Sequence, residues 1–307
     1  MRTRYIALLL PLLAVLLTGC DRNDDFTAPF FLHVEAINLV PQTQNAISTE
    51  SGFYTSDIVA AAVYMRRKGS THLDTIGHFK LPFTVPILYS GEIEFIDIHP
   101  AVKQSGSATR LPPYTPYNKI RISDTVAASG DTLWFDTLQT TYCITREEVL
   151  MFEPFEPTEG NLMFDSVMQW RPHAPTEACS GQGYGYVPVD TSTLTVTFGI
   201  NCDFSVIDPQ THRLDKTRLA YLELDTRSDV EFGVYMEGAP ITGSTTVRYG
   251  VMTVYKSDEW THLYINLNPT WEYLNYCSSF RLYFTALNED LINGEVRLDN
   301  VKLVTAN

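Results

Sequence analysis

Residues 280–285 read Phe-Arg-Leu-Tyr-Phe-Thr, and residues 260–267 read Trp-Thr-His-Leu-Tyr-Ile-Asn-Leu. In the first stretch Phe280, Leu282 and Phe284 share one parity, while Arg281, Tyr283 and Thr285 share the other. In the second, Leu263, Ile265 and Leu267 oppose His262, Tyr264 and Asn266. An extended chain sends successive side chains to opposite faces, so each stretch predicts a strand with one face turned into a core. Five more strand-length runs surround them, at 194–200, 218–225, 231–237, 247–255 and 295–304. No 3.6-residue amphipathic run competes. Seven such strands predict a β-sandwich or jelly roll over residues 161–307.

Working upstream, residues 27–145 carry apolar, β-branched and aromatic runs at 30–40, 58–65, 75–81, 93–98, 120–122 and 132–142. Turn clusters such as Arg67-Lys68-Gly69-Ser70 and Ser129-Gly130-Asp131 separate them. That spacing predicts a second antiparallel sandwich. Between the blocks, residues 146–160 hold a Glu-Pro-Phe-Glu-Pro core that cannot be a helix interior and read as a structured interdomain strap. The expected fold class is therefore all-β, two antiparallel β-sandwich domains joined by a linker.

The chain opens with a secretory leader. Arg2 and Arg4 precede an apolar run from Ile6 to Leu17, broken only by Pro11 and too short to span a bilayer comfortably. It ends in Leu17-Thr18-Gly19-Cys20, which resembles a bacterial lipobox. The resemblance implies removal of residues 1–19, lipidation of Cys20 and a membrane partner held through the acyl chains, each buried CH₂ worth about 0.8 kcal/mol. Residues 20–26 form a tether. Its Asp21-Arg22-Asn23-Asp24-Asp25 resembles the acidic export signal of surface lipoproteins in Bacteroidota, which implies an outer-membrane, cell-surface location.

Charge and motifs narrow the function classes. The 36 acidic against 22 basic residues give a net charge of −14, and loss of Arg2 and Arg4 makes the exported chain more negative still. With no basic stripe, nucleic acid is excluded as a partner. No P-loop, GxGxxG, HExxH or GxSxG motif occurs, and no catalytic residue is nominated. His72 and His78 are about 20 Å apart along a strand and cannot share one metal ion. Export places Cys143, Cys179, Cys202 and Cys277 in an oxidising compartment, where an even number suggests disulfides. Three pairings are open. Cys202–Cys277 is the first choice, because each lies at the end of a strand candidate.

Two longer resemblances cover most of the exported chain. Ala61–Met65, Ile76-Gly77-His78-Phe79-Lys80-Leu81-Pro82, Val85-Pro86-Ile87-Leu88 and the loop Arg110-Leu111-Pro112-Pro113-Tyr114-Thr115-Pro116-Tyr117 resemble a prealbumin-like sandwich of Bacteroidota lipoproteins. The stretches 260–267, 280–284 and Val296-Arg297-Leu298-Asp299-Asn300-Val301-Lys302-Leu303 resemble the closing strands of jelly-roll carbohydrate-binding modules. That second resemblance implies a structural calcium at Asp299, with Glu156 as a further ligand, and no other cofactor. Five Asp-Ser/Thr-aliphatic triplets resemble Bacteroidota O-glycosylation acceptors, which would place glycans on Thr75, Thr125, Thr132, Thr137 and Ser166.

The parity of the second block also nominates a surface. Tyr221, Glu223, Tyr235, Glu237, His262, Tyr264, Asn266, Arg281 and Tyr283 all fall on strand faces opposite the core. Sugars offer apolar C–H faces edged by hydroxyls, so a protein holds them with flat aromatic rings bracketed by amide, carboxylate and guanidinium groups. The expectation is a non-catalytic glycan-binding platform. The other reading of the same residues is a solvated or partner-covered sheet face, as in a structural subunit of an outer-membrane secretion, adhesion or uptake complex.

Overall fold

The computed structural model describes residues 29–306 except 45, 89–91, 107–108, 110, 124–127, 157–162, 173–179, 201–217 and 244. Residues 1–28, with the expected leader and lipidation site Cys20, and Cys179, Cys202 and Thr125 lie outside the described residues.

The N-terminal half holds seven strands: β1 (Phe30–Leu39), β2 (Ile58–Arg67), β3 (Leu73–Lys80), β4 (Phe83–Ile87), β5 (Ile93–Val102), β6 (Ile120–Ser123) and β7 (Thr132–Thr140). They form two sheets, ordered β4-β1-β7 and β3-β2-β5-β6. Phe30, Leu32 and Val34 of β1 meet Ala61, Val63 and Met65 of β2 and Ile96 and Ile98 of β5 in one buried cluster, which makes the pair a sandwich. The pairing departs from the antiparallel expectation at one ladder, since β1 runs parallel to β7, from Phe31 beside Thr132 to Leu39 beside Thr140.

The C-terminal half adds β8 (Val149–Glu153), β9 (Gln169–Pro172), β10 (Gly183–Val189), β11 (Thr195–Gly199), β12 (Leu219–Ser228), β13 (Glu231–Pro240), β14 (Val247–Val254), β15 (Ser257–Asn266), a short helix α1 (Asn268–Tyr273), β16 (Cys277–Leu287) and β17 (Gly294–Ala306). One sheet is ordered β15-β12-β17-β10-β9, with β8 also paired to β17, and the facing sheet is β11-β16-β13-β14. Leu222, Leu224, Ile265, Leu298 and Leu303 of the first sheet pack against Phe198, Val234, Met236, Phe280, Leu282 and Phe284 of the second. The alternation read from residues 260–267 and 280–285 is therefore in phase with the core.

Part of the segment expected to be a linker is a strand. Residues 149–153 pair antiparallel with β17, from Val149 beside Val304 to Glu153 beside Val301. The two phenylalanines of that segment enter different cores. Phe155 is fully buried in the C-terminal sandwich, whereas Phe152 joins a third cluster between the two halves. In that cluster Phe53, Val102, Tyr114, Tyr117, Tyr142 and Ile144 of the N-terminal half meet Tyr221, Tyr264 and Val304. The N-terminal half thus lies on the outward face of the β12–β15 ladder.

Candidate functional site

The residues nominated as one platform are divided between two sheets. On β12 and β15, Tyr221 stands beside Asn266, Glu223 beside Tyr264 and Asp225 beside His262. Their parity is opposite to the core, as expected, but they are not exposed. Tyr221 is 5% exposed, Tyr264 1% and Glu223 0%, and the His262 side chain is 5% exposed. Parity selects a face and is silent about what covers it, and here the chain covers it with its own N-terminal half. Tyr221, Glu223, His262 and Tyr264 therefore cannot serve as an open glycan platform. Asn266 is half-buried and its backbone N–H donates to the Ser105 hydroxyl across the same seam, 3.4 Å.

What these residues build instead is a buried polar joint. The Lys302 ammonium lies 2.9 Å from Glu223 Oε2, with both side chains wholly buried. It also donates to the Phe53 carbonyl at 2.7 Å and the Tyr142 hydroxyl at 3.0 Å. Glu223 accepts from Tyr114 and Tyr142, each at 2.7 Å. The Tyr117 and Tyr264 hydroxyls are 3.0 Å apart, and the Asp57 N–H donates to Tyr264 at 3.0 Å. Burial alone would raise the Glu223 carboxyl, but Lys302, His262 and the hydrogen bonds hold it below its ordinary value. Burial pushes the phenols of Tyr114, Tyr117, Tyr142 and Tyr264 well up, so they remain neutral donors.

The remaining members, Tyr235, Arg281 and Tyr283, share the open face of β11-β16-β13-β14. Tyr235 stands directly across from Tyr283, and Glu237 from Arg281. Both tyrosines lie half-exposed over positions where the neighbouring residue has no side chain. A Cβ on Gly233 would come 2.6 Å from the Tyr235 ring, and one on Gly199 would come 2.8 Å from the Tyr283 ring. The two glycines therefore let both rings lie down on the sheet rather than stand away from it. Arg248, across from Glu237 on β14, places its guanidinium 4.1 Å above the Tyr283 ring. Its Nε and Nη2 donate to Glu237 Oε2 at 3.2 and 3.1 Å. Arg281 Nη1 lies 3.4 Å from the Tyr283 hydroxyl. Beside them is a hollow of about 160 Å³ lined by Glu237, Ala239, Thr246, Ser279 and Arg281. Because the Arg248 guanidinium already covers the Tyr283 ring, the ring left to stack on an apolar sugar face is Tyr235, with Glu237, Arg248 and Arg281 beside it to bond hydroxyls.

Arg248, Gly199 and Gly233 were not singled out by the parity argument. The available signal was glycine inside strand candidates, which marks a close approach of another group.

The other nominated residues separate as follows. Cys277 is a free, buried thiol, so the Cys202–Cys277 bridge is not present. It points at Gly238 of β13, where an added Cβ would meet its Sγ at 2.5 Å, and burial pushes the thiol's pKa up. Cys143 is also free. Asp299 and Glu156, the residues expected to hold calcium, have the following partners. Asp299 is fully buried and accepts the Asn300 N–H at 2.8 Å, Glu156 accepts the Gln182 N–H, and no group of three or more His, Cys, Asp or Glu among the described residues is placed to hold a metal. Thr75, Thr132, Thr137 and Ser166 are all exposed.

No family model matches the chain, and no curated protein is similar to it in sequence. Solved structures give weak likenesses over about half of it. A family 29 carbohydrate-binding module matches with a TM-score of 0.31 at 10% identity, over 51% of this chain and 90% of that one. A xylan-binding domain of family 22 matches with a TM-score of 0.34 at 14% identity, over 52% and 96%. An arabinose-bound α-L-arabinofuranosidase matches with a TM-score of 0.33 at 10% identity, over 51% of this chain but 27% of that enzyme.

Proposed function

We propose that this chain is a non-catalytic surface protein, anchored in the outer membrane through lipid on Cys20, that binds glycan on the open face of β11-β16-β13-β14. The observation that carries the reading is the Tyr235 ring bedded over Gly233 directly across from Tyr283, with Glu237 and Arg281 at its rim and Arg248 held over Tyr283. Bedded rings are already fixed in a stacking orientation, so binding costs little side-chain entropy. A glycan array read with the purified protein tests this directly. Saturable binding that falls about tenfold or more in Tyr283→Ala and Tyr235→Ala supports the reading, and no glycan bound, or binding unchanged in both variants, refutes it.

A protein-docking role as a subunit of a surface assembly has one observation in its favour. Ile241, Tyr249, Tyr273 and Tyr276 are exposed to 50%, 38%, 66% and 43%, and Tyr249 stacks on Tyr273 at 5.6 Å. Membrane proteins that co-purify with the wild type but not with Tyr273→Ser would favour that reading. For the anchor, metabolic labelling with an alkyne fatty acid should mark the wild type and not Cys20→Ser.

A further inference from the structure

At the edge of the buried joint lies a cleft of about 600 Å³, lined by Thr55, Ser56, Asp57, Ser180, Asp225, Trp260, Thr261 and His262. Its volume is within the range of small-molecule sites, about 300–1,000 Å³. One wall comes from the N-terminal half and is pinned, because the Asp57 N–H donates to the buried Tyr264 hydroxyl at 3.0 Å and the Thr55 hydroxyl donates to the Gly52 carbonyl at 2.9 Å. The opposite wall is the β12–β15 ladder.

The Asp225 carboxylate in this wall is held from both sides. Its Oδ1 accepts from His262 Nδ1 at 2.7 Å and its Oδ2 from Asn300 Nδ2 at 2.8 Å. The same Asn300 amide donates to the Ser180 hydroxyl at 2.6 Å, so two lining oxygens share one support. Burial opposes the Asp225 charge, but His262, Asn300 and Lys302 keep its pKa below the ordinary value. His262 Nε2 is buried without a hydrogen-bond partner, and the nearest carboxylate oxygen, on Glu223, is 3.9 Å away. Nε2 thus faces Glu223 of the buried joint, which leaves Nδ1 bonded to Asp225 at the cleft wall.

The lining decides the ligand class. Among the described residues it contains no lysine or arginine and two aspartates, so an anion would enter against repulsion. Its hydroxyls and carboxylates disfavour an apolar ligand, which would displace their water without replacing its hydrogen bonds. Four hydroxyl side chains that both donate and accept, two carboxylates that accept, and an indole wall together match a neutral polyhydroxylated ring. We infer that this cleft is a second carbohydrate site, taking a single pyranose residue between the two halves of the chain. It shares no residue with the Tyr235–Tyr283 face and does not depend on it.

The test uses the purified protein and the methyl pyranosides of glucose, galactose, mannose and xylose at millimolar concentration, followed by saturation-transfer NMR. At least one should bind. Binding should fall tenfold or more in Asp225→Asn, and likewise in Ser56→Trp, which fills the cleft from an element whose support it leaves intact. It should be unchanged in Tyr283→Ala. Matching thermal melts for Ser56→Trp and wild type show that the loss is not unfolding. Binding lost in Tyr283→Ala and kept in Ser56→Trp would overturn the inference, as would no binding of any of the four sugars. Displacement of the sugar by butylammonium from the same cleft would overturn the neutral-ligand assignment and leave the Tyr235–Tyr283 reading standing.

Discussion

Replacing Lys302 by Met tests the joint between the two halves. Lys302 and Glu223 are both at 0% exposure, so the ammonium and the carboxylate share one enclosure. At 2.9 Å, and with an effective dielectric near 20, their attraction is about 6 kcal/mol before desolvation is counted. Removing one member of such a pair leaves a buried, uncompensated charge and costs about 3–5 kcal/mol. Tyr114 and Tyr142 still donate to Glu223, which places the expected loss toward the lower end. Urea unfolding followed by tryptophan fluorescence at pH 8 measures it.

The pH dependence carries the sign. In the wild type the Glu223 pKa lies below its ordinary value of 4.5. Its contribution is therefore present above pH 4.5 and is lost as pH falls through the depressed folded pKa. Without Lys302, burial raises that pKa instead, so the folded variant takes up a proton sooner than the unfolded chain does. The deficit of Lys302→Met should therefore be largest at pH 8 and shrink toward pH 5. Combining it with Glu223→Gln should restore part of the loss, because no charge is then buried alone. A loss under about 1 kcal/mol at pH 8, or a deficit that grows on acidification, refutes the reasoning.

Arg121→Leu should lower the melting temperature at pH 7, because the buried Asp97 accepts from Arg121 at 2.7 and 2.8 Å and keeps only Lys119 among these partners in the variant. Burial opposes the Asp97 charge but Arg121 and Lys119 keep its pKa below 3.8, so the difference in melting temperature should fade as pH drops below that value. Gly233→Ala should weaken glycan binding by lifting the Tyr235 ring, while urea unfolding shows stability lost by less than about 1 kcal/mol, since Ala suits a strand interior better than Gly. Alkylation mapped by peptide mass should mark Cys143 in the folded protein and Cys277 only after denaturation, because Cys143 is exposed and Cys277 buried.

The strand register of the second half was legible in its alternation, and Phe280, Leu282 and Phe284 are buried where that pattern puts them. Three features were not legible, each for its own reason. The strand at 149–153 was hidden because its short apolar run sits inside a window dominated by glutamate and proline. The parallel β1–β7 ladder joins segments about a hundred residues apart, and no local pattern encodes a pairing of that range. The thiol of Cys277 is free and packs against Gly238 of the neighbouring strand, a placement that cysteine counting does not see.

The division of the tyrosines is the deeper case. Tyr221, Tyr235, Tyr264 and Tyr283 have the same parity and similar strand neighbours, yet two are buried and two are half-buried. Parity reports the side of a sheet, and both outcomes are on the same side relative to the core. What separates them is the company each pair keeps. A buried phenol needs hydroxyl partners, and Tyr264 has Tyr117 and the Asp57 N–H. An exposed ring lying on a sheet needs an empty place beneath it, and Tyr235 and Tyr283 have Gly233 and Gly199. The first condition depends on distant residues and is invisible locally. The second is half local, since Gly233 stands two residues before Tyr235 on the same face of the same strand. Glycine two positions from an outward aromatic was therefore the readable mark of the open face, and tyrosine alone was not.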